Sequence, residues 1–150
     1  MPIPALDQNG LLPVGVHDCT WDEVAATFCW NIHRASVFAG LQDFLADCWS
    51  PLNLRADLWA DGSFTRSKEK PEDIDIVADL SAFDDQAALP AILLFLRNKD
   101  LKDAYKVDFW IKHPLVPNDL TSFFQYAGLK ASAELGIDAK QVKGILRIAP

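Results

Sequence analysis

The sequence predicts a small mixed α/β (α+β) fold, in which one β-sheet carries helices mainly on one face. Segments 54–60, 73–79 and 104–111 alternate apolar and polar residues, a period typical of strands. The connection between the first two strands is too short for a crossover helix, so we expect them to be antiparallel. A helical segment separates the second strand from the third, which indicates a crossover connection and hence a mixed sheet.

Length and composition indicate a single domain over residues 1–150. Half of the 150 residues are hydrophobic, which is enough to form one core. Residues 1–18 are rich in proline and glycine and predict an irregular N-terminal arm. No apolar run reaches the length of a membrane span and the start does not resemble a signal peptide, so we expect a cytoplasmic protein without membrane contact. The net charge of −7 argues against binding of bulk DNA.

The helices of the N-terminal half have clear start and stop signals. Thr20 and Glu23 form a capping box, which predicts a short helix directly after Thr20. Apolar residues at helical spacing then predict a long amphipathic helix over about 33–49, which ends before Pro51.

Two more helices are predicted in the C-terminal half. One covers about 85–98, with Asp84 or Asp85 as its cap. The last covers about 120–135, starts after Asn118 or Asp119 and ends at Gly136. The mixed-charge run 99–103 between helix and strand is expected to be a solvated loop, and residues 142–148 are expected to form a short strand or a packed arm.

An Asp-x-Asp pair lies inside the second predicted strand. Asp73 and Asp75 alternate with Ile74 and Ile76, so both carboxylates point to the same face. Two carboxylates side by side on a half-buried strand repel each other unless a cation lies between them. Mg²⁺ suits this pair, because it prefers oxygen ligands and needs only one or two carboxylates besides substrate phosphates.

A Gly-Ser pair at the end of the first strand supplies a candidate phosphate site. Gly62 permits a positive φ and a close approach to the backbone, and a helix beginning at Ser63 would direct free N–H groups toward a phosphate. Arg66 and Lys68 follow in the same loop and are suited to neutralising phosphate charge.

A third carboxylate lies in the third predicted strand. Asp108 shares a face with Lys106 and Trp110, whereas the opposite face of this strand is apolar. Completion of a metal site beside Asp73 and Asp75 would explain an acid in so aromatic a strand.

Together these motifs resemble the polymerase β-type nucleotidyltransferase superfamily, and within it the small prokaryotic group of minimal nucleotidyltransferases. The resemblance covers roughly residues 35–115 and consists of a Gly-Ser turn after a strand, Asp-x-Asp on the next strand and a lone acid on a later one. Members often have Gly-Ser-x-Ala-Arg-Gly at the turn, where this chain has Thr65 and Ser67 in place of the alanine and the last glycine. The two ends of the chain are similar to a family of short, uncharacterised bacterial proteins assigned to the same superfamily.

The resemblance implies a metal-dependent transfer of a nucleoside monophosphate from an NTP to a hydroxyl group. Asp73 and Asp75 would bind two Mg²⁺ (or Mn²⁺) ions, and Asp108 would bind the one that activates the attacking hydroxyl. Gly62, Ser63, Arg66 and Lys68 would hold the triphosphate. The implied acceptor is a protein side chain or a tRNA end, and the implied setting is a toxin–antitoxin or defence pair with a small helical partner protein.

Two other functions are compatible with the same residues. The first is a nucleotide-binding or partner-binding module that has the fold but no turnover. The second is a scaffold in which the acids form a structural cluster. Pyrophosphate release from NTP in the presence of Mg²⁺ separates the enzyme from both.

Overall fold

The computed structural model describes residues 2–117 and 125–150, and its strands form one mixed five-stranded sheet in the order β1-β5-β2-β3-β4. The strands are β1 (Val16–Asp18), β2 (Asp57–Asp61), β3 (Ile74–Asp79), β4 (Val107–Lys112) and β5 (Ile145–Ile148). β2 pairs with β3 in antiparallel orientation, and β3 pairs with β4 in parallel orientation. Both orientations were predicted from the connections, and the mixed α/β class is confirmed.

Five α-helices lie in the described part of the chain: α1 (Trp21–Phe28), α2 (Ile32–Phe44), α3 (Asp85–Phe95), α4 (Asn98–Tyr105) and α5 (Gly128–Leu135). The capping box at the start of α1 is confirmed, because the Thr20 side chain accepts from the Glu23 backbone and the Glu23 side chain accepts from the Thr20 N–H. Within the described residues, no helix is both long enough and apolar enough to cross a membrane.

The second helix ends earlier than its apolar pattern predicts. Regular α-geometry stops at Phe44, and the chain continues as a π-helical turn over Leu45–Trp49 and a 3₁₀ turn over Ser50–Leu52. A 3₁₀ turn is common at a helix end, whereas a π-helical turn is rare. Trp49 is still buried in the core, and Leu45 and Cys48 pack against it, although the hydrogen-bonding pattern changes.

The expected loop at 99–103 is wrong, because these residues belong to α4. Leu101 is fully buried and anchors this otherwise polar helix. The helix ends where Lys106 adopts a left-handed conformation with φ +60°. A single buried leucine gives too weak a periodic signal to predict a helix.

The two ends of the chain also form strands. The arm 1–18 is not irregular throughout, because Val16–Asp18 pairs in parallel with β5. β5 in turn pairs antiparallel with β2, so the strand alternative for the tail is confirmed. The helix predicted over 120–135 is observed over Gly128–Leu135 and ends at Gly136 as expected, whereas its predicted caps at 118 and 119 lie outside the described residues.

The sheet has one covered apolar face, as the pattern predicts. Ile74, Ile76 and Ala78 of β3 are buried in the main core, which also contains side chains from α1 to α4. The opposite face of β3 carries Asp75 and Val77. The first four helices thus lie on one side of the sheet, and the acidic motif lies on the other.

Candidate functional site

Strand register brings three carboxylates into one row. Asp61 at the end of β2 is paired with Asp75 of β3, and Asp75 is paired with Asp108 of β4. Paired residues on neighbouring strands point to the same face of a sheet, with β-carbons about 5 Å apart. Asp73 immediately precedes β3 at the same end of the sheet. The predicted acids are therefore neighbours, and Asp61 joins them.

A cavity of about 340 Å³ lies over this end of the sheet. It brings together six of the seven residues predicted from the motifs, with Lys68 as the exception. Its lining comprises Asp61, Gly62, Ser63, Arg66, Asp73, Asp75, Lys102, Asp108, Lys143 and the segment 126–131.

Asp75 is the electrostatic centre of the row. Its burial raises the pKa of this carboxyl well above its ordinary value, and the neighbouring charge of Asp108 raises the pKa further. Asp73 and Asp61 act in the same direction. The carboxylate form of Asp75 is thus disfavoured until a cation reaches it.

Asp61 is compensated by a lysine from the C-terminal tail. The Lys143 ammonium donates a hydrogen bond to Asp61 Oδ1, and both side chains are buried. Thr65 Oγ1 lies 3.3 Å from the same carboxylate oxygen. Burial still raises the pKa of Asp61, with Lys143 opposing the rise. This pair holds the C-terminal segment against the Gly-Ser turn.

A second lysine bridges the other two acids. Lys102 of α4 places its Nζ 3.3 Å from Asp73 Oδ2 and 3.8 Å from Asp108 Oδ2. The charge of Asp108 is the main cause of the raised pKa of this lysine. A cation therefore lies between the two carboxylates, at the location where the sequence predicts a metal ion.

The metal site itself is not preformed as a three-ligand set. Within residues 2–117 and 125–150, no three Asp, Glu, His or Cys side chains are arranged so that they could hold one metal ion together. The oxygens of Asp73 and Asp108 face Lys102 instead. Joint coordination by the predicted acids requires Lys102 to withdraw and the carboxylates to reorient.

The Gly-Ser turn adopts a backbone conformation that only glycine tolerates. Gly62 has φ +86° and ψ −161°, and a β-carbon at this position would lie 2.0 Å from Asp75 Oδ2. Ser63–Thr65 forms a single 3₁₀ turn rather than the expected helix, so a helix dipole adds little here. The turn offers backbone groups and a hydroxyl beside the acids.

The start of α2 fixes the loop that follows this turn. The buried guanidinium of Arg34 donates hydrogen bonds to the carbonyl oxygens of Phe64 and Lys68. Asn31 donates to the Glu69 carbonyl at 2.8 Å. These hydrogen bonds hold the backbone on both sides of Arg66 and thereby position Arg66 at the cavity.

Glu134 of α5 binds both predicted phosphate-binding cations. Its carboxylate lies 2.5 Å from Arg66 Nη2 and 3.0 Å from Lys68 Nζ. These contacts lower the pKa of Glu134 to about 2, the hydrogen bond from Arg66 being the largest cause. An anion that binds Arg66 must therefore displace this carboxylate or share the guanidinium with it.

Sequence patterns missed three charged residues of the site. Lys102 lies in a segment expected to be a loop, and Lys143 lies in a tail whose neighbour in the structure, Asp61, is 82 residues away in the sequence. Glu134 has no motif around it. Asp61 differs from these three residues, because the alternation along its strand gives a usable signal. The alternation places Asp61 on the same face of the strand as Asp57 and Trp59.

Comparison with known proteins places the chain in a family but does not assign an activity. No curated protein and no solved structure matches the chain significantly. A family model described as a family of unknown function, DUF6932, matches residues 4–149. The match covers both ends of the chain as well as the acidic row and the Gly-Ser turn, so the chain belongs to the DUF6932 family.

Proposed function

We propose that this protein is a metal-dependent nucleotidyltransferase that moves a nucleoside monophosphate from an NTP to a hydroxyl group. The observation that supports this most is the position of the Gly62 turn directly against Asp75, in a row of carboxylates on adjacent strands. A row of acids alone would repel a nucleotide. The adjoining turn and the cations around it supply what a triphosphate needs.

The donor's phosphates would bind at the Gly62–Ser63 turn. Without a side chain at Gly62, the phosphates can approach the backbone beside the acids. The Ser63 hydroxyl would donate a hydrogen bond to a phosphate oxygen, and Arg66 at the cavity wall offers a planar donor suited to phosphate oxygens. Lys68 does not line the cavity, and it would contact the phosphates after its ion pair with Glu134 is broken.

The residues fit Mg²⁺ or Mn²⁺ on chemical grounds. They offer carboxylate oxygens, burial and the neighbouring carboxylates raise the pKa of Asp75, and Lys102 already lies between two of the acids. Asp73, Asp75 and Asp108 would hold the ions. When bound, the two ions would stabilise the attacking and leaving oxygens of an in-line displacement.

The chain's own residues would then orient the reactants. The acceptor oxygen attacks the α-phosphorus, a new P–O bond forms, and the bond to the β-bridging oxygen breaks so that pyrophosphate leaves with the electron pair. The acceptor's proton passes to Asp108, whose side chain is 21% exposed at the cavity. Most of the rate enhancement would come from positioning and charge neutralisation.

The acceptor and setting follow from the resemblance to minimal nucleotidyltransferases. We propose a protein side chain or a tRNA end as acceptor and a small helical protein as toxin–antitoxin partner. A cytoplasmic location fits this proposal, because NTPs and Mg²⁺ are available there.

The proposal is tested by pyrophosphate release. Purified protein is incubated with each NTP and Mg²⁺ or Mn²⁺, with and without a tRNA pool or cell extract as acceptor source, and pyrophosphate is measured alongside label transfer from the α-phosphate. Release that is abolished by Asp108→Asn supports the enzyme. NTP binding without release under all these conditions supports the binding module instead.

A further inference from the structure

Helix α3 exposes a stripe of leucines. Leu89, Leu93 and the C-cap residue Leu96 are 48%, 55% and 71% exposed, and their spacing of four and three residues places them on one face. The opposite face of the helix buries Ala88, Ala91 and Leu94 in the core. α3 is therefore apolar on both sides, whereas a helix at the edge of a monomer normally has a polar outer face.

An apolar groove continues this surface. A cavity of about 330 Å³ beside the C-terminal half of α3 is lined mainly by apolar residues, among them Leu93 of the helix and Pro51 and Leu52 of the 3₁₀ turn, and it also includes the charged side chains of Asp47 and Arg97. The leucine stripe and this groove together form a contiguous apolar surface, which we call the α3 surface. Contiguous surfaces of this kind mark interaction sites.

Charges at the two ends of α3 indicate what binds there. Asp85, Leu89 and Leu93 follow one another at steps of four residues and form one ridge of α3, and Arg97 continues the same spacing two residues past the end of the helix. The Asp85 side chain is 73% exposed, with the His113 imidazole 3.9 Å from its carboxylate, and Arg97 is exposed at the edge of the groove. The ridge thus carries a negative charge at one end, a positive charge at the other and two leucines between.

This ridge is complementary to itself in one orientation. If two copies pack with α3 antiparallel about Ala91, Leu89 lies opposite Leu93 of the partner subunit. In the same register Asp85 lies opposite Arg97 of the partner subunit. A parallel arrangement would instead place like charges together, which is unfavourable. A two-fold axis is also the commonest symmetry of protein dimers.

We propose that the α3 surface is the interface of a two-fold symmetric homodimer of this chain. The interface lies on the helix-bearing side of the sheet, away from the face that carries Asp75, so it does not depend on the proposed activity. Standard interfaces bury about 800 Å² per partner, and a surface built on an 11-residue helix is smaller. We therefore expect a dissociation constant in roughly the micromolar range.

Sedimentation velocity over about 1–200 μM protein tests the proposal, a range that spans the expected dissociation constant. The parent should shift from monomer to dimer. Leu93→Glu should remain monomeric, and circular dichroism should show an unchanged fold because this side chain is exposed. Leu129→Glu is the matched control, since Leu129 is an 83% exposed leucine on α5, and it should dimerise like the parent.

A charge exchange tests the antiparallel register. Asp85→Lys and Arg97→Glu should each weaken the dimer about tenfold or more, a cost of about 1.4 kcal/mol. The double variant should restore most of the lost affinity, because opposite charges again face each other. A parent that stays monomeric throughout, or a double variant weaker than both single variants, would overturn the proposal. So would a dimer that survives Leu93→Glu, because the interface would then lie elsewhere.

Discussion

Gly62 and Asp75 are in direct contact across the β2–β3 pair, and the contact leaves no room for a side chain at position 62. A β-carbon there would lie 2.0 Å from Asp75 Oδ2 and 2.9 Å from its Cγ. The Gly-Ser turn and the Asp-x-Asp motif are therefore in contact and belong to the same site. The glycine is required by the carboxylate beside it as well as by its own φ of +86°.

Gly62→Ala should be much more damaging than an alanine at another positive-φ glycine. The backbone strain alone costs on the order of 1–3 kcal/mol, and the clash with Asp75 adds to it. The control is Gly136→Ala, where φ is +69° but no atom lies within 4 Å, so strain of roughly 1–2 kcal/mol acts alone. Urea denaturation measures both changes in the free energy of unfolding.

The clash component can be isolated with a second substitution. Asp75→Ala removes the carboxylate, so adding Gly62→Ala to it should cost only the backbone strain of about 1–3 kcal/mol, less than Gly62→Ala costs in the parent. A Gly62→Ala variant as stable as the Gly136→Ala variant would show that the turn can move away from Asp75.

Asp75→Asn should raise the stability of the metal-free protein at neutral pH. The folded-state pKa of Asp75 is above its unfolded value, so the folded protein binds this proton more tightly. Stability is therefore lost as pH rises from about 4 toward the folded-state pKa. The asparagine variant does not titrate and escapes this loss. Thermal unfolding of both proteins from about pH 4 to pH 8 should show a difference that grows with pH.

Mg²⁺ should reverse this difference. The ion stabilises the parent by offsetting the carboxylate repulsion, and it should do so less for the Asp75→Asn variant, which has lost a ligand. Equal melting temperatures of the two proteins at every pH would mean that the charged form of Asp75 does not destabilise the folded protein.

Lys143 should stabilise the fold mainly by compensating the buried charge of Asp61. Lys143→Met leaves an uncompensated carboxylate and should cost about 3–5 kcal/mol of unfolding free energy. Adding Asp61→Asn removes that charge and should recover a large part of the loss. If the two substitutions simply add in chemical denaturation, the contact between Lys143 and Asp61 does not stabilise the fold.

Strands β2, β3 and β4 were predictable because they carry period-two patterns and their connections differ in length, whereas β1 lies in a segment that was expected to be irregular. The row of acids was predictable only in part. Alternation fixes which face Asp75 and Asp108 occupy, but the register that aligns them with Asp61 depends on packing along whole strands. The lysines that neutralise the row come from segments with weak patterns, and no local rule links Lys143 to a partner 82 residues away.

Glu134→Gln should strengthen nucleotide binding if Arg66 and Lys68 hold phosphates. The carboxylate competes for both cations, and its removal frees them. NTP affinity in the presence of Mg²⁺ should rise severalfold, and the rise should shrink with added salt because the competition is electrostatic. Glu72→Gln is the control. Glu72 is an exposed acid in the β2–β3 loop, which also contains Arg66 and Lys68, and its substitution should leave the affinity unchanged.

The same substitution should have a pH-dependent effect on stability. Because Glu134 titrates at about 2 in the folded protein, its contribution is complete above its ordinary pKa of 4.5 and is lost as pH falls through about 2. The Gln variant should therefore be less stable than the parent at pH 6 and similar to it near pH 2 in urea denaturation. An affinity for NTP that falls in this variant would show that Glu134 supports the site instead of competing with the nucleotide.

Calorimetric titration of a non-hydrolysable NTP, with and without Mg²⁺, tests the central claim most directly. The parent should bind only with Mg²⁺, and Asp75→Asn and Asp108→Asn should each lose about tenfold or more of that affinity, or about 1.4 kcal/mol. Asp57→Asn is the control, since Asp57 lies on the same face of the sheet at the far end of the β2–β3 ladder, and it should bind like the parent. Binding that ignores Mg²⁺, or that survives in both site variants, would contradict a nucleotidyltransferase site at this row of acids.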